Sequence, residues 1–448
     1  MPSRLLQAAG PTFPNALNTG ASGALTTLTP GTAYHSAGGS GGTLVGGINT
    51  GWSLSSAIPP AWTTSANAVI DSLSMTYPIV ISSHNGVTVS NSSIIIDGAN
   101  PSFNYAIDLA GTAANTTVRN CTIGAVNAGD NRVEYAINGA TDPYLTVTGC
   151  NIYYFRVAAS ITNGLFQGNY VHDPGYFAGD HTDGISCLGN NGATSFATGL
   201  QILGNTIIMQ INQTSPLDIG STASPCQYIL IEGNLLAGGG YGLYGGITTT
   251  DTQHTHSSCT INGGSLTTVL DGSAVAADVG ATITGANVPA GTTITGYTLS
   301  TSYTISQAGT AGSGLSFLIT QTSKSSRADT GCATNSTATV TDSSVIPSDV
   351  GATVTGTNIP ASTTITSLTG TYPGYTGFVM SQAATGTGSG LTLTLHYTNN
   401  IQVLNNRFSQ MYYPLCGTFG THADYDTAVA SNIWTNNVVH DTGAQIPA

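Results

Sequence analysis

The sequence predicts an all-β chain wound as a right-handed parallel β-helix, interrupted by an inserted pair of duplicated small β modules. Three observations predict it. Seven segments end alike, in an apolar stretch, then a Gly or Asn, and then an Asn or Cys: they close at Cys121, Cys150, Asn169, Asn205, Asn234, Asn406 and Asn437, at spacings of 29, 19, 36, 29, 172 and 31 residues. One coil of three short strands plus turns needs roughly 20–30 residues, so the interval of 172 is an insertion between two neighbouring coils. Elsewhere β-branched residues alternate with small polar ones, without long helical periodicity. Finally, Asp278-Val279-Gly280-Ala281-Thr282-Ile283-Thr284-Gly285 is repeated as Asp349-Val350-Gly351-Ala352-Thr353-Val354-Thr355-Gly356, inside that interval.

In chain order, residues 1–88 are Gly/Pro/Ser-rich, carry Trp52 and Trp62, and show no coil period; they are predicted to form an N-terminal attachment and capping region. A stack of coils must hide its apolar end, and terminal units are atypical for that reason. Residues 89–252 carry the first coils. Their Asn turn residues tolerate a left-handed bend, and stacked Asn side chains can bond coil to coil. Residues 253–395 hold the two modules, about 254–320 and 329–395, with Thr/Ile alternation and Asn-x-Pro turns at Asn287 and Asn358. The copies are offset by 71 residues at Asp278/Asp349 but by 75 at Ser306/Ser381, so the second gained residues between those points. Such modules, poor in ionisable groups, suit partner recognition or bracing better than catalysis. Residues 396–448 carry the final coils.

Composition narrows the function. Only 6% of the 448 residues are charged, against about 25% in an ordinary globular protein. The net charge of −13 removes the electrostatic footprint for nucleic acid and disfavours polyuronates and anionic membrane surfaces, leaving neutral sugars as the better ligand. No Cys/His spacing suggests a metal, no cofactor is expected, and Cys121 and Cys150 read as small buried hydrophobes at equivalent turns. The opening Met1–Gln7 lacks the apolar core of a signal peptide, and no run approaches about 18 apolar residues, so neither export by that route nor membrane insertion is expected.

Aligning the strand after each turn gives a second ladder. Ile107, Ile137, Ala159, Ile185, Leu217, Leu243 and Leu415 are predicted to face inward, and Asp108, Asn138, Ser160, Ser186, Asp218, Tyr244 and Cys416 outward. With coils about 4.8 Å apart, Asp218 falls one coil from Asp180, His181 and Asp183. Two carboxyls about 5–9 Å apart, one with a raised pKa, are the minimum equipment for glycoside hydrolysis. The candidate catalytic residues are Asp183, Asp218, His181 and Asp180, with His181 orienting or protonating. Tyr154, Arg156, Tyr176 and Tyr244 are candidate substrate contacts. The alternative for Asp180 and Asp183 is turn capping, whereas Asp218 is unusual because Asp is disfavoured within strands. His172-Asp173 reads as a turn, and His254 and His256 as a solvated loop. A β-eliminating lyase would need a cation for a uronate, and the coils offer only Arg119, Arg132, Arg156 and Arg407.

Two stretches resemble known proteins. Phe13-Pro14-Asn15-Ala16-Leu17-Asn18-Thr19-Gly20 is similar to the opening of right-handed β-helix proteins of actinobacteria and their phages, and Gly179-Asp180-His181-Thr182-Asp183-Gly184-Ile185 resembles their H-x-D-G-I-Q coil, with Ser186 in place of Gln. The ending Asn437-Val438-Val439-His440-Asp441-Thr442-Gly443 and the D-V-G-A-T-x-T-G module resemble elements of mycobacteriophage minor tail proteins. The resemblance implies a pectate-lyase-like β-helix, a homotrimeric tail or tailspike subunit, host-envelope polysaccharide and other phage tail proteins as partners, and a place in the virion after synthesis in the host cytoplasm. The bacterial relatives are expected to be secreted, which implies the alternative of a β-helix glycoside hydrolase or polysaccharide lyase.

Overall fold

More than half of the chain is strand, in long parallel sheets consistent with a β-helix-type fold. The computed structural model describes residues 13–27, 50–54 and 62–448, apart from 82–83, 97–103, 110–112, 127–132, 140–143, 176–180, 213–214, 221–225, 246–252, 275–277, 321–325, 346–348 and a few single or paired positions. The chain divides into two compact units: residues 1–220, 226–245 and 400–448 form one, and 221–225 with 246–399 the other.

In the first unit, one sheet of ten parallel strands runs from Thr26–Thr27 through Leu73–Met75, Ser93–Ile96 and Thr122–Ala125 to Arg407–Ser409 and Val438–Val439. Its register places Ile94, Ile123, Ile152, Val171, Ile207, Leu236 and Phe408 in one buried column. Burying each such side chain is worth about 1.5–3 kcal/mol, which makes the column a principal source of cohesion. The pairing passes straight from Leu235–Gly238 to Arg407–Ser409, across the insertion.

The turns between strands explain the spacing of the repeats. Ser72, Asn91, Asn120, Gly149, Gly168, Gly204, Gly233, Asn405 and Asn436 all take a φ between 42° and 67°, the region that Gly and Asn tolerate best. The residue that follows stacks on its counterpart in the next repeat. Oδ1 of Asn234 accepts the backbone N–H and Nδ2 of Asn205, both at 2.9 Å, and Nδ2 of Asn234 donates to Oδ1 of Asn406 at 2.9 Å and to the Ile202 carbonyl at 2.9 Å. The same pattern links Asn169 to Asn205 and Asn406 to Asn437. Cys150 joins the column through its N–H to Asn169 and its sulfur to Cys121. All seven cysteines are buried thiols.

The parallel pairing begins earlier than residue 89. Strand Trp62–Asp71 already pairs in parallel with Ile79–Val80 and Thr88–Ser90. Here Ser72 takes the left-handed turn and the buried Ser92 the stacked place, accepting the Leu73 N–H at 3.2 Å. Serine at the turn of the first repeat (Ser72-Leu73) and at the stacked place of the second (Asn91-Ser92) hides both from a search for Gly/Asn followed by Asn/Cys. Residues 13–27 lie along the turns: the Gly20 N–H donates to the Gly149 carbonyl, the Ser22 N–H to Asn91, and Thr26–Thr27 pairs with Leu73–Ser74. The rest of the expected N-terminal region, 1–12, 28–49 and 55–61, lies outside the described residues.

The second unit contains two antiparallel assemblies: a six-stranded sheet between Gln253–Ile261 and Gly312–Thr320, and a closed barrel of six strands between Ser326–Asn335 and Thr387–His396. The repeated sequence occupies equivalent places, since Thr282–Gly285 pairs with Phe317–Thr320 and Thr353–Gly356 with Leu393–His396. The residues gained by the second copy lengthen one hairpin, Ile294–Thr298 with Ser302–Ile305 becoming Thr363–Thr371 with Gly374–Met380. His254 and His256 lie in the strand Gln253–Ile261 rather than in a solvated loop, and His256 Nδ1 bonds Asp271 at 2.5 Å. An acid at the barrel's equivalent of Asp271 would be expensive without a partner, and the two copies differ in how they supply one.

In the barrel Arg327 makes two 2.7 Å bonds to Asp329 and one of 2.8 Å to Asp349, which also accepts the Tyr397 hydroxyl. Asp342 is buried beside Asp329 and Cys332. Burial first, and then the charge and hydrogen bond of Asp329, push its carboxyl up to about 7 against the pull of Arg327. The folded barrel therefore binds this proton more tightly than the unfolded chain, where a carboxyl titrates near 4. The resulting stability is complete below about pH 4 and is lost as pH rises through about 7. Asp342→Asn is expected to remove this slope and to stabilise the barrel at pH 8 by about 2–3 kcal/mol. Hydrogen exchange of amides in Thr339–Thr341 and Gly374–Met380, corrected for intrinsic rate, checks it; an unchanged difference between pH 5 and 8 contradicts it.

Candidate functional site

The strands that carry the predicted outward ladder stack in the expected register for five of its six steps. Ile107 pairs with Ile137, Ile137 with Ala159, Ala159 with Ile185, Ile185 with Leu217 and Leu217 with Leu243. Asp108, Asn138, Ser160, Ser186, Asp218 and Tyr244 therefore form a second column, spaced by about 4.8 Å per strand. The sixth step is corrected: Leu243 and Tyr244 pair with His422 and Ala423, not with Leu415 and Cys416. Pro414 and the left-handed Cys416 (φ 69°) keep residues 410–419 irregular, and the strand resumes only at Gly420. Leu415 is accordingly exposed, while Cys416 is buried with its sulfur on the Phe408 carbonyl.

Asp183 and Asp218 lie on neighbouring strands, in diagonal rather than direct register: Asp183 pairs with Ser215, and Ser186 with Asp218. Both carboxylates are nearly sealed from solvent, 6% and 7% exposed. Between them the strand has little room for bulk, because a Cβ on Gly184 would meet the Ile207 side chain and the Pro216 carbonyl at 2.4 Å. Burial, and next the charge of Asp218, hold the Asp183 carboxyl well above the usual carboxylate range, against smaller opposing contributions from the Ser215 N–H and the Arg156 guanidinium. Oδ1 of Asp183 and Oγ of Ser215 are buried and find no hydrogen-bond partner among the described residues. A buried carboxyl of raised proton affinity with an unpartnered oxygen, near a second carboxyl, is an arrangement able to give a proton and to take one.

The other expected residues are distributed around this pair. His181 is exposed just before the strand Asp183–Cys187; Asp180 and Tyr176 lie outside the described residues. Tyr244 neighbours Asp218 in register, and its hydroxyl is pushed up to about 12 by burial, by Tyr241 and by Asp218, Asp424 and Asp183 in turn. Arg156 pairs with Glu134 at 2.9 Å, while its carbonyl accepts the Asp183 N–H. Tyr154 is partly buried against the apolar core and stands edge-on to Tyr153 at 5.0 Å. His172 and Asp173 are a hydrogen-bonded pair at 2.6 Å on the ten-stranded sheet, with Asp173 in a left-handed turn and held low by that bond.

Sequence reasoning missed Ser215 and Phe419. Ser215 could have been found, since it stands three residues before Asp218 as Asp183 does before Ser186. Phe419 lacked any signal because its strand was displaced by the irregular connection. Comparison with protein-family models, with curated proteins and with solved structures finds no match to this chain.

Proposed function

We propose that this chain is a right-handed parallel β-helix, pectate-lyase-like in winding, that contacts a neutral cell-envelope glycan and cleaves it at the Asp183/Asp218 pair. The observation that carries the reading is the placement of two buried carboxyls on adjacent strands, one of them pushed upward by burial and by the charge of the other. Asp183 gives its proton to the glycosidic oxygen, and Asp218 acts as the carboxylate partner, as base toward water or as nucleophile. The winding is supported by the strictly repeated left-handed turns and by in-register pairing across the insertion. The setting follows from the sequence motifs: a minor tail or tailspike subunit of an actinobacteriophage, homotrimeric, assembled with other tail proteins and displayed on the virion. The alternative, a secreted β-helix hydrolase, uses the same acid pair. A lyase fits less well, because Arg156, the cation nearest Asp183, is engaged by Glu134.

The purified chain is expected to release reducing ends from actinobacterial envelope polysaccharide, and antibody to it is expected to label phage tails in electron micrographs. Release without labelling favours the secreted enzyme. Neither release nor binding to envelope glycan removes the reading.

A further inference from the structure

Three of the exposed large apolar side chains among the described residues, Tyr412, Leu415 and Phe419, fall in the connection 410–419. This connection is held down by its backbone: the Phe419 N–H donates to the Gly240 carbonyl at 2.8 Å, the Thr418 N–H to Gly239 at 3.0 Å, and Gly238 to Cys416 at 3.1 Å. Gly417 admits no side chain, since a Cβ would stand 2.5 Å from the Gly420 carbonyl and 2.7 Å from that of Gly240. Phe419 is thus fixed in place yet 63% exposed. Its ring meets Tyr241 at 5.8 Å, and Tyr241 meets Tyr244 edge-on at 5.1 Å. Tyr244 is the register neighbour of Asp218. A continuous line of rings therefore leads from open solvent to the acid pair.

We infer that Phe419 and Tyr241 form a stacking subsite for an uncharged pyranose ring of the glycan whose next linkage reaches Asp183 and Asp218. The inference rests on the glycan reading above and adds the sugar class and the residue that selects it. The C–H face of a sugar packs on an aromatic ring as other apolar faces do, while its hydroxyls hydrogen-bond carboxylates. Charge complementarity disfavours a uronate here: the carboxylate of Asp218 stands beside Tyr244 in register, and the neighbouring Arg156 is paired with Glu134.

The full chain and its Phe419→Ala, Phe419→Trp and Phe419→Leu variants can be titrated calorimetrically with two size-matched envelope oligosaccharide fractions, one neutral and one uronate-rich. The exposed position makes all three substitutions compatible with the fold. The wild type is expected to prefer the neutral fraction, with binding weakened about tenfold by Ala and by Leu and restored by Trp. Unchanged affinity of the Ala or Leu variant, or preference for the uronate fraction, overturns the subsite while leaving glycan binding in place. Loss of self-association in the Ala variant, read by sedimentation, would assign Phe419 to a contact between copies and overturn it too. If the wild type binds neither fraction, the glycan reading fails and the subsite with it.

Discussion

Asn234→Ala is expected to lower the stability of the parallel-sheet unit by about 3 kcal/mol, because it strands several buried groups at once. Asn234 is fully buried. Its loss deprives the Asn205 N–H and Nδ2 of their acceptor, and the Ile202 carbonyl and Asn406 Oδ1 of a donor. Each stranded group costs about 1–3 kcal/mol when water cannot reach it. Asn234 also stacks across the 172-residue insertion, and Ala keeps only its backbone N–H bond to Asn406 there while losing the side-chain one. Asn234→Cys should lose roughly half as much, since a thiol offers a weak donor and a weak acceptor and Cys121 and Cys150 already occupy this column. Urea midpoints followed by the fluorescence of Trp434, which packs against the core of this unit, measure both. Equal midpoints for wild type and Asn234→Ala would show that the column does not hold the repeats together.

Asp218→Asn is expected to reduce glycan cleavage by about 10²–10⁴-fold, the range associated with removing one general acid or base. The amide keeps the size of the side chain and cannot take a proton. The substitution also removes the neighbouring negative charge that helps to raise Asp183. Proton affinity of Asp183 then falls, so the alkaline limb of any residual pH–rate profile moves to lower pH. The same change has a stability consequence of defined sign. With its folded pKa above the unfolded value, Asp183 stabilises the fold fully below about pH 4, and that contribution disappears as pH rises through the folded pKa. Asp218→Asn weakens this penalty and should raise the melting temperature more at pH 8 than at pH 5. An undiminished rate of cleavage with an unshifted profile would exclude the proposed roles.

Much of the repeat architecture was legible because backbone geometry restricts residue type. A bend at positive φ is costly for most side chains, so Gly149, Gly168, Gly204 and Gly233 mark turns, and the stacked amides after them mark the column. Where serine took one of the two places, the turn at Ser72 and the stack at Ser92, the signal vanished although the geometry did not change. The acid pair was legible as a consequence of register: once Ile185 is set beside Leu217, Asp218 must stand near Asp183. The diagonal offset of the two carboxyls and their burial were not, since both depend on what packs over the strands. The pairing of Arg156 with Glu134 is another such case, because no periodicity relates them.

By itself the sequence determined the all-β character of this protein, the phase of its turns, the place of the insertion and the two carboxyls worth testing, because each follows from local backbone preference repeated at a regular interval. Only the tertiary structure decided that the final strand of the second column begins at Gly420, that Phe419 stands in solvent beside Tyr241, and that burial and Asp218 push the Asp183 carboxyl upward. Those outcomes depend on packing and desolvation between groups far apart in number, which no local pattern encodes.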